Sequence, residues 1–538
     1  MTETRHDTSA PGGLNRRTFL QLGAGVGLVL TLPAGRAFAQ GADTLTVAIP
    51  ADLGGWDQDF LAFDTIGLAV MKNTYPYMID YPVMDLEGGQ VFETEGVLPL
   101  YAESFEPNED GTVWTLKLKQ GIKFPSGNEL TAADVKWSKD RAFAAQANVA
   151  GIYRILGLTE PDQVKVVDDY TVEFTQGTAS AMSTQIQIIS LYVYDSELLK
   201  SHATDEDPWA KEWANVNPID GGAYNVTEYR PGEEIVLEAN PEFPGEAPGV
   251  KTIRLQVIPS AANRRLLLQN GDVDVALALP LRDVMDMSEA EGVKLLSAPN
   301  NQLVFVPMNT TITPFDNPAV RKAMAKAVPY DALIKSVYFD EARRVKSVLP
   351  LEMPGYSEAG YPFDTDFEAA KSELAEAGFP DGFETSIVIV SGDTEAERIA
   401  VLLQNAFGQV GVTLNIENVD PATMQTRRQE KSAPLQVAAG QFWVNDFEYL
   451  GATALSPTGF LNYANYNSER IAELLGSLAG VLDEETRMGI IDEVQSVLAE
   501  DVPWLVLAQP NFMLPVTEGV EGWVQPVDGL FRLRYLTA

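Results

Sequence analysis

The sequence predicts an α/β fold, in which strands and helices alternate along the chain. Residues 253–257 alternate apolar and polar side chains, as a half-buried strand does, and the helical stretch 264–270 after them stops at Gly271. Residues 272–276 then continue as a second strand. This order is typical of α/β domains. With 45% hydrophobic residues in 538, the chain has material for more than one core, and its length favours about three domains.

Residues 100–141 predict a strand, a turn and a helix. Residues 108–111, Asn-Glu-Asp-Gly, are a turn signal, and the alternation over 113–119 behind them indicates a half-buried strand. A Pro-Ser-Gly break follows. Thr131 is then placed to cap a helix that carries Asp134 in its first turn.

Three later stretches predict further elements. Residues 221–240 alternate on both sides of an Arg-Pro-Gly-Glu turn and therefore predict a hairpin. Asn317 is a candidate cap for a helix that has Pro318 in its first position. A third helix, through residues 370–377, should stop at Gly378.

Residues 1–40 have the features of an export signal. Arg16 and Arg17 precede an apolar, glycine-rich run, and residues 37–39, Ala-Phe-Ala, form a small-x-small cleavage site. The segment resembles a twin-arginine signal, so we expect export to the periplasm and cleavage after Ala39.

The absence of cysteine limits how the exported chain is held and what it binds. It excludes disulfides, thiolate metal sites and a lipid-modified N-terminal cysteine. With His202 the one histidine after the leader, a metal site of His or Cys ligands is not expected, and no cofactor is predicted. No later segment is apolar for the roughly 18 residues that a membrane span needs. We therefore expect a freely diffusing monomer with no membrane anchor.

The formal charge of −38 argues against nucleic acid as a partner, because binding phosphate backbones requires clustered Lys and Arg. The same sign disfavours anionic lipid surfaces. A solvated acidic surface explains the charge, and steering of cationic ligands is the alternative that composition leaves open.

Several stretches closely resemble the extracytoplasmic solute-binding proteins of family 5, the peptide-binding receptors of ABC importers. The first is 102–111, beginning Ala-Glu-Ser and ending Asn-Glu-Asp-Gly, which leads into Gly-Ile-Lys-Phe at 121–124 and Thr-Ala-Ala-Asp-Val at 131–135. The other matching blocks are 218–276, 308–324 and 361–380. The resemblance therefore extends along most of the chain.

This resemblance implies a type II periplasmic binding protein-like fold, a two-sided hinged clamp with three lobes. Lobe I would combine residues 41–82, 215–308 and 514–538, lobe II would be 83–214, and lobe III 309–513. Two crossovers, near Met308 and Ala508, would form the hinge.

The resemblance also implies ligand-binding residues. A Gly-Trp-x-x-Asp segment lies at the lobe interface in the family, and in peptide-binding members its Asp receives the ligand's ammonium. Trp443, Asn445 and Asp446 match this segment by position, with Phe442 in place of the usual Gly. Asp446 is therefore expected to anchor a cationic group of the ligand. The structural alternative is a Trp in the core and an Asp that caps a loop.

Two other pairs are weaker candidates for ligand contact. They are Trp56 with Asp57, after the first strand, and Asn309 with Thr310, at the first predicted crossover. A tryptophan in such a position can stack on a ligand or belong to the core.

Catalysis is not predicted. The chain lacks the His-Glu-x-x-His, Gly-x-Ser-x-Gly and P-loop patterns. The resemblance implies a receptor that binds a peptide or peptide-like solute and delivers it to ABC permease subunits. An opine, an oligosaccharide or a nickel chelate remain alternative ligands on the same scaffold. An exported hydrolase with a glycosidase-like acidic pair is the alternative from another class.

Overall fold

The fold is a mixed α/β arrangement in which strands from distant parts of the chain share sheets. It was obtained as a computed structural model that describes residues 43–61, 65–86 and 89–538. The predicted leader and its cleavage site after Ala39 lie outside these residues. In the described part, no helix combines the length and the apolar character that crossing a membrane requires.

A seven-stranded sheet joins the beginning, middle and end of the described chain. Its strands, in spatial order, are Tyr224–Arg230, Glu234–Ala239, Thr252–Val257, Thr44–Ile49, Val275–Ala276, Phe512–Thr517 and Val293–Ala298. The first strand of the chain pairs in parallel with its neighbours on both sides, whereas the other pairs are antiparallel. The predicted hairpin and the strand over 253–257 are confirmed, and of the second predicted strand, 272–276, only Val275–Ala276 is a strand. The helix between those strands begins earlier than predicted, at Ala261, because Ser260 caps it.

A four-stranded antiparallel sheet contains the predicted strand after residue 111. Its strands are Ala102–Pro107, Val113–Leu118, Thr171–Thr175 and Val164–Asp168, in the order in which they pair. Trp114, Leu116 and Leu118 are buried, as the alternation predicts. The helix that follows starts at Ala132, and the Thr131 backbone N–H donates to the Asp134 carboxylate at 2.9 Å. The predicted start of this helix is confirmed.

Two further sheets lie in the C-terminal half of the chain. One is formed by Ala342–Arg343, Trp504–Pro510, Gln302–Pro307 and Ala438–Gln441, and the other by the parallel strands Thr413–Val419, Glu384–Val390 and Leu435–Gln436. In the smaller sheets, Ile79–Asp80 pairs with Leu98–Pro99. The strand Gly89–Phe92 lies between Val524–Gln525 and Val83–Leu86 and pairs with both.

The chain crosses twice between the seven-stranded sheet and the sheet of Gln302–Pro307. The chain crosses at residues 299–301 and returns at Asn511, whereas crossovers near Met308 and Ala508 were expected. Ala508 lies inside a strand, where it is the register partner of Val304. The strand before Met308 is buried on both faces and has no alternation to show where it begins. The division into three lobes stays a prediction.

Helices cover the sheets, and their caps follow the sequence where it carries a clear signal. Asn317 accepts a hydrogen bond from the Ala319 N–H at 3.0 Å, as predicted, and Gly378 ends its helix with φ +101°. The helices of the described residues are Thr65–Thr74, Ala132–Ala144, Asn148–Ile155, Ser183–Ser190, Ser196–His202, Lys211–Val216, Ala261–Gln269, Leu281–Met287, Pro318–Lys326, Tyr330–Val337, Phe367–Glu376, Thr394–Gln409, Pro421–Glu430, Phe447–Leu450, Glu469–Leu478 and Glu484–Asp501. Single 3₁₀ or π turns lie at Pro161–Gln163, Glu358–Gly360, Gly451–Leu455 and Leu533–Tyr535.

Candidate ligand-binding cleft

Two cavities adjoin each other beside Trp443. Their volumes are about 290 Å³ and about 340 Å³, and both are lined by Trp443 and Leu530. Together they have the size of a site for a small molecule or a short peptide. We call the two cavities the cleft.

The walls of the smaller cavity come from five distant parts of the chain, and most of its lining is apolar. Its lining residues are Gln58, Leu61, Leu68, Asn148, Val149, Ile152, Ile189, Ser190, Tyr192, Trp443, Phe460 and Leu530. Sequence positions so far apart meet only in the folded protein, which is a common property of binding sites.

The larger cavity lies where the seven-stranded sheet meets the sheet of Gln302–Pro307. Its wall includes residues 276–279 and 512–515, and its polar lining consists of Thr65 and amide side chains. The amide residues are Asn300, Gln302, Gln441 and Gln525. Among the described residues, no Asp, Glu, Lys or Arg lines either cavity.

Trp443 reaches the cleft from the end of a sheet strand. The strand Ala438–Gln441 pairs with Gln302–Pro307, and beyond it Phe442 and Val444 are buried on one side while Trp443 is half-buried on the other. The packing of its neighbours thus directs the indole toward both cavities. Contact of Trp443 with a ligand remains a prediction, and its position is consistent with that role.

Asp446 lies close to Trp443 in the chain but does not line either cavity. Both of its carboxylate oxygens accept hydrogen bonds at 2.9 Å from Nη2 of Arg487. The same carboxylate accepts from the Glu448 N–H at 2.8 Å and caps the Phe447–Leu450 helix. Glu448 accepts a hydrogen bond from the other terminal nitrogen of Arg487, Nη1, at 3.2 Å. We call Asp446, Glu448 and Arg487 the outer cluster. Burial raises the pKa of both carboxyl groups, and the guanidinium opposes that shift.

Asn445 forms hydrogen bonds to three other residues of the protein. Its N–H donates to Oε1 of Gln185 at 2.8 Å, and its side chain bonds Asn301 and the carbonyl of Glu352 at 3.2 and 3.1 Å. It lines a separate cavity of about 60 Å³. The predicted contact of Asn445 with a ligand is not tested by this arrangement.

Trp56 and Asp57 lie in the protein interior rather than in the lining of the cleft. Trp56 is 1% exposed and packs edge-on against Tyr229, with the ring centroids 5.2 Å apart. Asp57 accepts hydrogen bonds from Arg141 and, at 2.9 Å, from the Tyr194 hydroxyl. These contacts match the structural alternative stated for a tryptophan in this position.

Arg141 also binds Asp59, so two carboxylates share one guanidinium. We call Asp57, Asp59 and Arg141 the inner cluster. Tyr192, which lines the smaller cavity, donates to Asp59 at 2.7 Å, so the inner cluster lies directly behind the cavity wall. Burial raises the pKa of Asp59 to about 6, because the charge of Arg141 offsets only part of the desolvation.

Asn309 and Thr310 hold a loop together. The Asn309 side chain is fully buried, donates to the carbonyl of Lys431 at 2.7 Å and accepts from Thr311. The Thr310 hydroxyl donates to the carbonyl of Asn465 at 3.1 Å. Neither residue lines the cleft, so any ligand contact by them stays a prediction.

Several lining residues were not predicted from the sequence. Gln58 directly follows the predicted pair Trp56 and Asp57, which is the nearest signal that the sequence offers. Its side chain is buried, its amide nitrogen donates to the Tyr77 hydroxyl, and its Oε1 has no hydrogen-bond partner. Tyr192, Phe460 and Leu530 carry no local signal, because only the folded chain brings them to the cleft.

Comparison with known proteins agrees with this architecture. A sequence model of the family "Bacterial extracellular solute-binding proteins, family 5 Middle" matches residues 96–462. The probable D,D-dipeptide-binding periplasmic protein DdpA of Escherichia coli K12 is 24% identical over 500 residues, covering 89% of each chain. Heme-binding protein A of Haemophilus influenzae is 27% identical over 460 residues, covering 80% of this chain and 82% of that protein.

A solved structure with a bound peptide has the same fold. It is the periplasmic binding protein DppA of Helicobacter pylori in complex with the peptide STSA, with a TM-score of 0.78 and 22% identity over 92% of this chain and 98% of that one. The predicted type II periplasmic binding protein fold is thereby confirmed.

Proposed function

Because the chain belongs to the bacterial extracellular solute-binding proteins of family 5, we propose that it is the periplasmic solute-binding protein of an ABC importer. It binds a peptide or peptide-like solute in the cleft beside Trp443 and delivers it to the permease subunits. The observation that carries the proposal is the pair of adjoining cavities where distant segments meet at Trp443 and Leu530.

The chemistry of the cleft supports capture rather than conversion of a solute. Apolar walls with a few amide groups bind a small molecule by burial and orient it by hydrogen bonds. The relatives named above are binding proteins, and they bear different ligands in their names, a D,D-dipeptide and a heme. A peptide-like ligand is therefore the preferred proposal, while the scaffold itself is compatible with others.

The alternative of an exported hydrolase has less support. Such an enzyme needs two carboxylates that both reach the substrate. The carboxylate pairs of the inner and outer clusters each bind an arginine, and none of these four carboxylates lines either cavity. His202 is exposed and stacks on Trp213, with the ring centroids 4.1 Å apart.

Native mass spectrometry of protein freshly isolated from the periplasm tests the proposal. We expect the mature chain, beginning after Ala39, to carry a small solute that is released intact on denaturation, and the stripped protein to gain thermal stability when the solute returns. Trp213→Ala serves as a control for purification, because this partly buried tryptophan lies away from the cleft. Recovery of a chemically altered solute, or retention of the protein in the cytoplasm, would contradict the proposal.

A further inference from the structure

The outer cluster lies at one end of a contact between two segments that also border the cleft. One segment is the 180–190 region, and the other is residues 443–448. At one end of this contact, Ile189 and Ser190 line the smaller cavity together with Trp443. At the other end, the Ser180 hydroxyl donates to Glu448 at 3.0 Å. Asp446 and Glu448 line neither cavity, but they belong to a segment that is hydrogen-bonded, through Glu448 to Ser180 and through Asn445 to Gln185, to the segment that supplies part of the cavity wall.

Arg487 donates hydrogen bonds to both carboxylates of the outer cluster. Nη2 lies 2.9 Å from each oxygen of Asp446, Nη1 lies 3.2 Å from Glu448, and the same Nη1 donates to the carbonyl of Val481 at 3.1 Å. Their side chains are 6 to 12% exposed, so the cluster is largely removed from water. A guanidinium held in this way is a stronger partner for a carboxylate than a mobile ammonium is.

A free peptide would bring two charges to a site that offers few partners. An ammonium that paired with Asp446 would have to displace Arg487 from it, and the peptide's carboxylate would meet no cationic lining residue in the described part of the cleft. A charge that enters an apolar site without a partner loses its hydration without compensation. The ammonium and the carboxylate of the peptide would each lose hydration free energy in this way.

We propose that Arg487 is a specificity-determining residue that takes the place of the solute's ammonium, so that the receptor selects an uncharged, amide-bearing solute, such as an end-blocked or cyclic peptide. This inference rests on the proposed function and names the ligand class of the same cleft. It differs from the role that the family resemblance implies for Asp446, in which the carboxylate is available to the ligand.

The amide groups of the cleft wall fit such a solute. Gln58 is 5% exposed at the wall of the smaller cavity, and its Oε1 accepts no hydrogen bond. At the wall of the larger cavity, Nε2 of Gln441 is buried and donates none. An unmet acceptor and an unmet donor each cost free energy, and the N–H and C=O of a neutral amide satisfy both.

Calorimetry with three matched probes tests the inference on the wild-type protein. The probes are leucylleucine, its N-acetylated C-terminal amide, and the cyclic dileucine, which share their side chains and differ in charge. We expect the two uncharged probes to bind about thirtyfold or more tighter than leucylleucine, the factor that an unpaired buried charge would cost. Tighter binding of leucylleucine would overturn the inference and leave the proposed function standing.

A variant pair assigns the preference to the guanidinium. Arg487→Gln leaves Asp446 and Glu448 without their cation, so leucylleucine should bind better relative to the blocked probe. The ratio of the affinity for the blocked probe to the affinity for leucylleucine should fall by about tenfold or more. Arg487→Lys retains a positive charge there and should keep most of the preference. Circular dichroism confirms that each variant is folded before titration.

The remaining outcomes are also decisive. An unchanged preference in a folded Arg487→Gln protein would overturn the role of Arg487. If no probe binds the wild type, the uncharged-peptide inference is overturned, and the mass of the co-purified solute then shows whether the proposed function still holds. Should Asp446→Asn reduce the affinity for leucylleucine by about thirtyfold, the carboxylate would be an ammonium anchor after all.

Discussion

The inner and outer clusters have the same formal charges but differ in their surroundings. Each joins two carboxylates to one arginine, and in each case a tryptophan precedes the first carboxylate in the chain. The side chains of the inner cluster are at most 1% exposed and are enclosed by tyrosines, whereas those of the outer cluster are 6 to 12% exposed and touch a second segment at Ser180. The inner cluster is therefore the more deeply buried of the two, and the outer cluster is the one for which we propose a role in ligand selection.

Removing each arginine in turn should give the largest effects and separate the two clusters. Arg141→Gln leaves Asp57 and Asp59 buried without a cation, so we expect it to lower the free energy of unfolding by about 4 kcal/mol. Arg487→Gln should lower it by about 1 to 2 kcal/mol, since its carboxylates keep some contact with water. Urea unfolding followed by circular dichroism measures both.

The exposed Arg154→Gln is the matched control, because it removes the same charge from the surface of a helix. It should change the free energy of unfolding by less than about 0.5 kcal/mol. Equal decreases in the free energy of unfolding for Arg141→Gln and Arg487→Gln would show that the difference in burial between the clusters does not affect stability.

The two tryptophans should divide into one that stabilises the fold and one that binds the solute. Trp56→Ala should cost about 3 kcal/mol of stability, because a buried indole is removed from a packed core. Trp443→Ala should cost less stability and weaken binding of the co-purified solute by about tenfold, because the lost surface belongs to both cavities.

Urea unfolding and calorimetry on both variants check this division. Loss of affinity in a folded Trp56→Ala protein, with Trp443→Ala binding normally, would reverse the assignment. The comparison is informative because both substitutions remove the same side chain.

The fold was predictable where the sequence carries a local period or a cap. The alternation over 113–119 and the caps at Thr131 and Asn317 depend on neighbouring residues only, and the structure confirms them. The positions of the crossovers were less predictable, because the strand before Met308 and the one that contains Ala508 are buried on both faces. A continuous apolar run does not indicate which sheet a strand joins.

The site was less predictable, because its chemistry depends on pairs of residues that are distant in the chain. Family resemblance led to Trp443, which the structure places at the cleft, and to Asp446, whose partner Arg487 lies on another helix. Sequence gives no sign of that pairing. For the same reason Trp56 and Trp443 could not be distinguished before the fold was known.

The smallest expected effect concerns Lys139, which lies beside the inner cluster. Its ammonium donates to the Tyr153 hydroxyl and to the carbonyl of Ser190 at 2.6 and 2.9 Å, and burial lowers its pKa to about 7. An unfolded lysine keeps its proton up to about pH 10. Between these values the unfolded state binds more protons than the folded state does, so stability from this residue should rise as the pH increases above 7 and fall as the pH decreases toward 7.

Lys139→Met should remove that slope, which amounts to at most about 1.4 kcal/mol per pH unit. Urea unfolding of the wild type and the variant between pH 7 and pH 9 measures it, with the exposed Lys117→Met as the control for loss of one surface charge. Asp59 has the opposite sign at lower pH: because its pKa is raised to about 6, its contribution to stability should decline from about pH 4 to pH 6. Parallel pH curves for wild type and Lys139→Met would mean that the Lys139 ammonium stays charged. Together with Lys139, the inner cluster would then have two positive and two negative charges, whereas the outer cluster has two negative charges and one positive charge.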